Sequence, residues 1–195
     1  MALTRLEIEN YGVLEPNFLA AYKDGKIESQ TLLSTDDFTS TAPAENGMGV
    51  VVDRVAEEVT LPGDSTAGLI HLVATEEALY NQFEQGLNRF ALYGTDEAPK
   101  LPLLQAGDRF TTNTVCFDLG DDTEEFADEA AAKVALAAYA DTAVYAVPSA
   151  NGSWRITQDG TTTGAAACLL KVIGVTTLPD GNYAVKLEVL KNNNA

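Results

Sequence analysis

The stretch AACLLKVIGVTTLPDGNYAVKLEVL, residues 166–190, decides the fold of this chain. Segments 166–177 and 182–190 are rich in aliphatic and β-branched residues and flank the turn sequence Leu178-Pro179-Asp180-Gly181, a pattern that predicts a β-hairpin. In the second segment apolar residues alternate with positions that carry most of its charge, so one face is expected to lie on a core. The apolar positions are Tyr183, Val185, Leu187 and Val189.

Similar patterns upstream predict that most of the chain is β-structure. A second hairpin is expected where residues 142–147 and 153–157 flank Asn151-Gly152. Further strands are expected at residues 50–52, 55–61, 68–73 and 109–117. The glycine-containing stretch 160–164 lacks the lysine of a phosphate-binding loop and is predicted to be an ordinary loop.

Two helices are predicted between these strands. The first follows Thr75 as a possible N-cap, and its apolar residues recur at helical spacing. The second runs from about Asp122 to Tyr139, begins with a capping-box-like pair at Asp122 and Glu125, and has a largely alanine face. The apolar stripe of the first helix consists of Leu79, Phe83, Leu87 and Phe90.

Residues 1–48 differ in pattern from the remainder. The Asp-Gly pair within 23–26 predicts a small hairpin with strands 18–22 and 27–33, and residues 35–47 are rich in turn formers. We predict an N-terminal arm with this small hairpin, residues 1–48, and a β-rich body, residues 49–195. The alternative is that the hairpin is an ordinary first element of the main fold. The predicted fold class is α+β, mainly β, with an antiparallel β-sandwich or partly closed β-barrel body and two helices.

The charge of the chain limits its partners. The 195 residues include 29 Asp and Glu against 12 Lys and Arg, a formal net charge of −17. Because nucleic acids and anionic membranes are polyanions, neither is an expected partner. No secretory signal opens the sequence and no apolar run reaches the roughly 18 residues of a membrane span. We therefore expect synthesis in a cytoplasm, with Cys116 and Cys168 as free thiols.

Residues able to do chemistry are few and scattered. His71, the single histidine, lies in an apolar strand, and neither cysteine has a histidine nearby in sequence. Trp154, Arg155 and Tyr145 on the second hairpin are either interface anchors or, for the tryptophan, core. We assign no catalytic, cofactor-binding or metal-binding residue, expect no cofactor, and predict that the protein is not an enzyme.

Seven acidic residues lie between positions 118 and 129. They lack the order of an EF-hand, so a solvated helix start is the simpler interpretation than a calcium site. If these acids serve function, they could form a charged rim that faces a basic patch on a partner. The seven are Asp118, Asp121, Asp122, Glu124, Glu125, Asp128 and Glu129.

Four segments together resemble small structural proteins of tailed-phage virions, most of all capsid decoration (cement) proteins. They are Leu3–Glu9 (LTRLEIE), the region Asn17–Glu28, Gly47–Asp53 (GMGVVVD) and Leu170–Gly181 (LKVIGVTTLPDG). The resemblance implies a non-enzymatic virion protein, made in the host bacterial cytoplasm, that binds the major capsid protein. It also implies contact with like subunits in a homo-oligomer, a trimer for instance, and an arm that joins neighbouring subunits by strand addition.

Two other functions remain open at this point. A phage tail-tube or other virion ring subunit is also expected to be acidic and β-rich, and residues 142–157 are the candidate hairpin to line such a ring. A carbohydrate- or ligand-binding module would need exposed aromatic side chains in a groove, for which only Trp154 and Tyr145 could serve.

Overall fold

The computed structural model describes residues 12–63, 69–75, 91–93, 98–117, 125–177 and 183–193. The predicted helix after Thr75, with its apolar stripe, lies outside these residues, as does the turn at 178–181.

The described helices are α1 (Ala20–Asp24), α2 (Glu129–Ala137) and α3 (Gly160–Ala165). The first eight described strands are β1 (Leu14–Phe18), β2 (Ile27–Glu28), β3 (Leu32–Leu33), β4 (Ala44–Glu45), β5 (Gly49–Asp53), β6 (Glu58–Thr60), β7 (His71–Leu72) and β8 (Ala91–Leu92). The others are β9 (Leu101–Pro102), β10 (Arg109–Thr112), β11 (Val115–Cys116), β12 (Tyr145–Pro148), β13 (Trp154–Thr157), β14 (Cys168–Thr177) and β15 (Tyr183–Asn192).

The largest sheet has seven strands in the order β1-β10-β15-β14-β12-β13-β11. Neighbours are antiparallel except β11 and β13, which run parallel. At its centre, β14 and β15 pair along almost their full length, as the sequence predicted. A four-stranded sheet, β3-β6-β5-β7, and two two-stranded pairs, β2-β9 and β4-β8, complete the described sheets. The α+β, mainly β fold class is confirmed, and closure into a sandwich or barrel stays a prediction.

Two large hydrophobic clusters and one small cluster, Val147, Ala166 and Leu169, pack against these sheets. The main cluster lies on the inner face of the seven-stranded sheet, where α2 covers it with Ala132 and Leu136. The second cluster lies around the four-stranded sheet and includes Met48, Val50 and Val59. Burial of apolar surface on this scale is the dominant favourable contribution to folding.

The described part of the predicted arm is built into both clusters. β1 pairs with β10 at the edge of the large sheet, and β3 pairs with β6. The predicted boundary at residue 48 runs through the second cluster, since Met48 and Val50 both belong to it. Residues 12–48 therefore show no break in packing from the body. Their buried apolar members are Leu19, Ala21, Leu33, Phe38, Ala44 and Met48.

The small hairpin predicted in this region is wrong. Residues 20–24 form helix α1, and the following strands pair elsewhere, β2 with β9 and β3 with β6. Gly25 ends the helix in the left-handed conformation at φ 66°, and the amide of Lys26 donates to the carbonyl of Ala21 at 3.1 Å. An Asp-Gly pair supplies the positive φ that a hairpin turn and a helix C-terminus both require.

Two further predictions, the start of the second helix and the loop at 160–164, are wrong. In both places a side-chain cap sets where the helix begins. Helix α2 begins at Glu129, because the Asp128 carboxylate accepts from the amide of Ala131 at 2.8 Å. Glu125, the proposed capping-box residue, instead accepts from the amide of Gln158 at 2.7 Å. The stretch 160–164, predicted as a loop, lies in α3, because the Asp159 carboxylate accepts from two amides of its first turn. Such caps satisfy donors that a helix start leaves unpaired.

Two glycines with positive φ give a matched test of this packing. Gly25→Ala meets open space, so it should cost only the roughly 1–2 kcal/mol of a left-handed backbone with a Cβ. Gly47 has φ 86°, and an added Cβ would lie 2.1 Å from Oγ1 of the buried Thr112. Gly47→Ala should therefore lower the free energy of unfolding clearly more than Gly25→Ala, measured by urea denaturation. Equal losses would show that the Gly47 segment is not packed against β10.

Candidate interaction surface

The structure places His71 in the interior. It lies on β7 opposite Val50 of β5, and its Nδ1 lies 3.1 Å from the carbonyl oxygen of Leu69. Burial lowers the pKa of His71 below 6.5, because the charged form loses its hydration. Among residues with described positions, no group of three or more His, Cys, Asp or Glu is arranged to hold a metal ion. None of the described helices is long and apolar enough to cross a membrane.

Both cysteines are buried and reduced, as predicted. Cys116 lies on β11 and Cys168 begins β14. Burial raises the pKa of the Cys168 thiol to about 12, since a thiolate there would lose its solvation. A thiol with such a pKa is a poor nucleophile at neutral pH.

Three of the seven acids at 118–129 have described positions, and each has a structural contact. Glu125 accepts from Thr157 and Gln158 next to β13, and Asp128 caps α2. Glu129 pairs with Lys133 one turn along α2, Oε1 to Nζ 2.9 Å. The remaining four, Asp118, Asp121, Asp122 and Glu124, lie outside the described residues.

Trp154 is a core residue, which settles the choice left open by the sequence. Its side chain is fully buried, its Nε1 donates to the carbonyl of Gly47 at 2.7 Å, and its ring centroid lies 5.8 Å from that of Phe110. Arg155 is also buried, with 4% of its surface exposed, and Tyr145 is half-buried. The predicted anchor group on this hairpin is therefore not an exposed patch.

An exposed group that the sequence did not predict lies on the outer face of the large sheet. Strand registers align one residue from each of five neighbouring strands, β1, β10, β15, β14 and β12. We call this line of side chains the outer row. It consists of Phe18, Arg109, Glu188, Lys171 and Tyr145.

The outer row is apolar and basic in composition. Phe18 is 50% exposed although it is a large aromatic residue. Arg109 and Glu188 form an exposed ion pair, Nη2 to Oε1 3.0 Å, of the kind that contributes little to stability. Lys171 is exposed, and Lys186 lies half-buried next to the row on β15. Lys171 and Lys186 form no ion pair with another described side chain, so their charge is available to a partner.

This surface contrasts with the chain that carries it. The net charge is −17, yet the outer row and the neighbouring register row Glu15–Thr111–Lys186 together carry three basic residues against two acids, Glu15 and Glu188. The alternation in residues 183–190 had predicted a charged solvent face on β15. Arg109, Lys171 and Phe18 could not be placed beside it, because the sheet order joins strands that are distant in sequence.

Neither a known protein family, nor a curated protein, nor a solved structure matches this chain.

The buried histidine predicts a pH dependence of stability. Because the pKa of His71 is lower in the folded protein than 6.5, the unfolded chain takes up this proton first as the pH falls. Relative to His71→Gln, the wild-type protein should therefore lose stability as the pH falls from above 6.5 toward the lowered folded pKa, and no further below it. The readout is the difference in free energy of unfolding between the two proteins across this range. The nearby Glu28 and Arg54 are present in both, so a pH-independent difference would contradict the assignment.

Proposed function

We propose that this chain is a non-enzymatic virion structural protein that binds and stabilises a bacteriophage capsid lattice. The observation that carries the proposal is the outer row, an exposed apolar and basic line on a strongly acidic protein. Four sequence segments resemble capsid decoration proteins. This resemblance indicates the major capsid protein and like subunits as the partners.

The outer row contains residue types that are common in protein–protein interfaces. Aromatic residues and arginine are enriched in the energetically important parts of interfaces, and Phe18, Arg109 and Tyr145 provide both types. The lysines would attract an acidic patch on the lattice, and the acidic remainder of the surface would disfavour other orientations. Repetition over a lattice of identical sites would then add avidity to a weak single contact.

Strand addition by the arm, the mechanism first expected, is not supported by the described residues. β1, β2 and β3 already pair within the protein, with β10, β9 and β6. β1 is an edge strand of the large sheet, but it contains Pro16, and its register shifts between Glu15 and Phe18. Proline and irregular register are features that protect an edge from pairing with another chain. Docking through a sheet face is therefore the preferred mechanism.

The two alternatives gain no specific support. A ring subunit was expected to project residues 142–157, but β12 pairs with β14 and β13 pairs with β11 inside the large sheet. A carbohydrate-binding groove needed an exposed Trp154, whose side chain is fully buried.

Charge reversal in the outer row tests the proposal. Lys171→Glu should reduce co-sedimentation with shells of the cognate capsid protein by about tenfold or more, because one favourable contact becomes repulsive. Lys23→Glu is the control, since Lys23 is an exposed lysine on α1 and its reversal changes the net charge equally. The control should bind as the wild-type protein does, and both variants should keep the wild-type melting temperature.

Particle stability provides a second readout. Shells saturated with the wild-type protein should disrupt at a higher temperature than bare shells, since a ligand specific for the assembled state stabilises it. No binding of wild-type protein, or equal disruption temperatures at saturation, would refute the lattice function. Equal binding of Lys171→Glu would refute only the outer row as its surface, and ordered tubes in negative stain would favour the ring subunit.

A further inference from the structure

Buried polar groups without a partner concentrate at one place in this protein. Of four such side-chain atoms in the described residues, three lie on or beside the hairpin β12–β13: Ser149 Oγ, Ser153 Oγ and Arg155 Nε. Buried polar atoms are nearly always hydrogen-bonded, so three exceptions within one hairpin call for a common cause.

The register places these three groups on the same face of the hairpin. Arg155 opposes Val147, and the ladder continues into the turn, where the Ser149 amide donates to the carbonyl of Ser153 at 2.9 Å. Trp154, which lies between Ser153 and Arg155, points into the main cluster. Since side chains alternate along a strand, Ser153 and Arg155 point to the opposite face, and Ser149 lies across from Ser153.

Arg155 is the most costly of these groups to bury, because its guanidinium is charged. Arg155 is 4% exposed, and the one hydrogen bond of its guanidinium to a described residue runs from Nη2 to Oγ1 of Thr162 on α3, at 3.4 Å. No carboxylate in the described part of the chain lies within ion-pair distance of it. A guanidinium remains charged in a protein, so a buried one needs hydrogen-bond acceptors around it. The Asp159 carboxylate, which accepts from Oγ1 of the same Thr162 at 2.8 Å, is near enough for the two charges to interact, but no hydrogen bond joins it to Arg155.

We propose that this face of β12–β13 is a binding site for one small oxyanion. The ligand would accept from the Nε edge of Arg155 and from the hydroxyls of Ser149 and Ser153, a donor set that suits the oxygens of a phosphate or carboxylate group. The hydrogen bonds that Asp159 accepts from Thr162 and Thr161, and to a lesser degree the charge of Arg155, lower the pKa of Asp159, so its carboxylate is charged next to this face. The site lies on the same face of the large sheet as the outer row, beyond its Tyr145 end, but it uses different side chains and does not depend on capsid binding.

Helix α3 is the natural route of entry. It lies over this face through the contact between Thr162 and Arg155, and none of its six residues is buried. An element that buries little can open locally at small cost in free energy. A small anion could therefore reach Arg155 without unfolding of the large sheet.

Thermal unfolding of the full chain, dialysed into chloride, tests the site. At constant ionic strength, inorganic phosphate or acetate should raise the melting temperature progressively with concentration, because the anion binds the folded state. The anion that raises the melting temperature more at equal concentration shows whether a phosphate or a carboxylate group is the better ligand. In a second experiment the protein is purified in phosphate, denatured and assayed for released phosphate. Released phosphate would show that the site was already filled.

Two variants assign any response to this site. Arg155→Met should abolish the response and should be at least as stable as the wild-type protein in chloride, because an apolar side chain removes the unpaired charge. Arg109→Met, which removes an exposed arginine, should respond as the wild type does. If Arg155→Met does not fold, Ser153→Ala replaces it and should weaken the response at least threefold.

The opposite results would overturn the site. A wild-type protein that neither responds to the anions nor releases phosphate would show that water alone satisfies these groups. An undiminished response in Arg155→Met, or in Ser153→Ala where that variant replaces it, would place the anion elsewhere on the protein.

Discussion

The indole of Trp154 is the contact on which the rest of the structure depends. Its N–H donates to the carbonyl of Gly47 at 2.7 Å, and its ring lies so near Gly49 that an added Cβ there would be 3.0 Å away. Trp154 belongs to the main cluster, whereas Gly47 and Gly49 flank Met48 of the second cluster. One side chain thereby joins the seven-stranded sheet to the segment that leads into β5. Without it, a buried carbonyl would lose its donor and the main cluster would lose its largest fully buried side chain.

The same anchoring explains why Arg155 remains buried. A long basic side chain usually keeps its charged end in water while its stem lies on apolar surface. On β13, Trp154 and Ile156 are fixed in the main cluster on either side of Arg155. The strand therefore cannot shift to release the guanidinium without disturbing the joint between the clusters. The proposed anion would supply acceptors to Arg155 without disturbing that packing.

Local sequence predicted the elements whose partners are close in the chain. The strands of β14–β15 and β12–β13 followed from alternation and turn residues at their ends. The hairpin predicted from the Asp-Gly pair at 24–25 was wrong, because a helix C-terminus and a hairpin turn both use a glycine with positive φ. The outer row and the polar face around Arg155 were not predictable, since each depends on sheet order or on which face of a strand is covered. Those properties arise from contacts between distant segments.

The distribution of charge connects the fold to the proposed function. With a net charge of −17, two copies of this chain repel each other at long range, and so do the chain and an acidic partner. Screening at physiological salt limits that repulsion to roughly 8 Å, whereas the outer row acts at contact distance. The sheet face where Arg109, Lys171 and Lys186 come together is where the proposed attraction would act. Under the proposed lattice function, this distribution of charge would favour attachment through that face over other orientations.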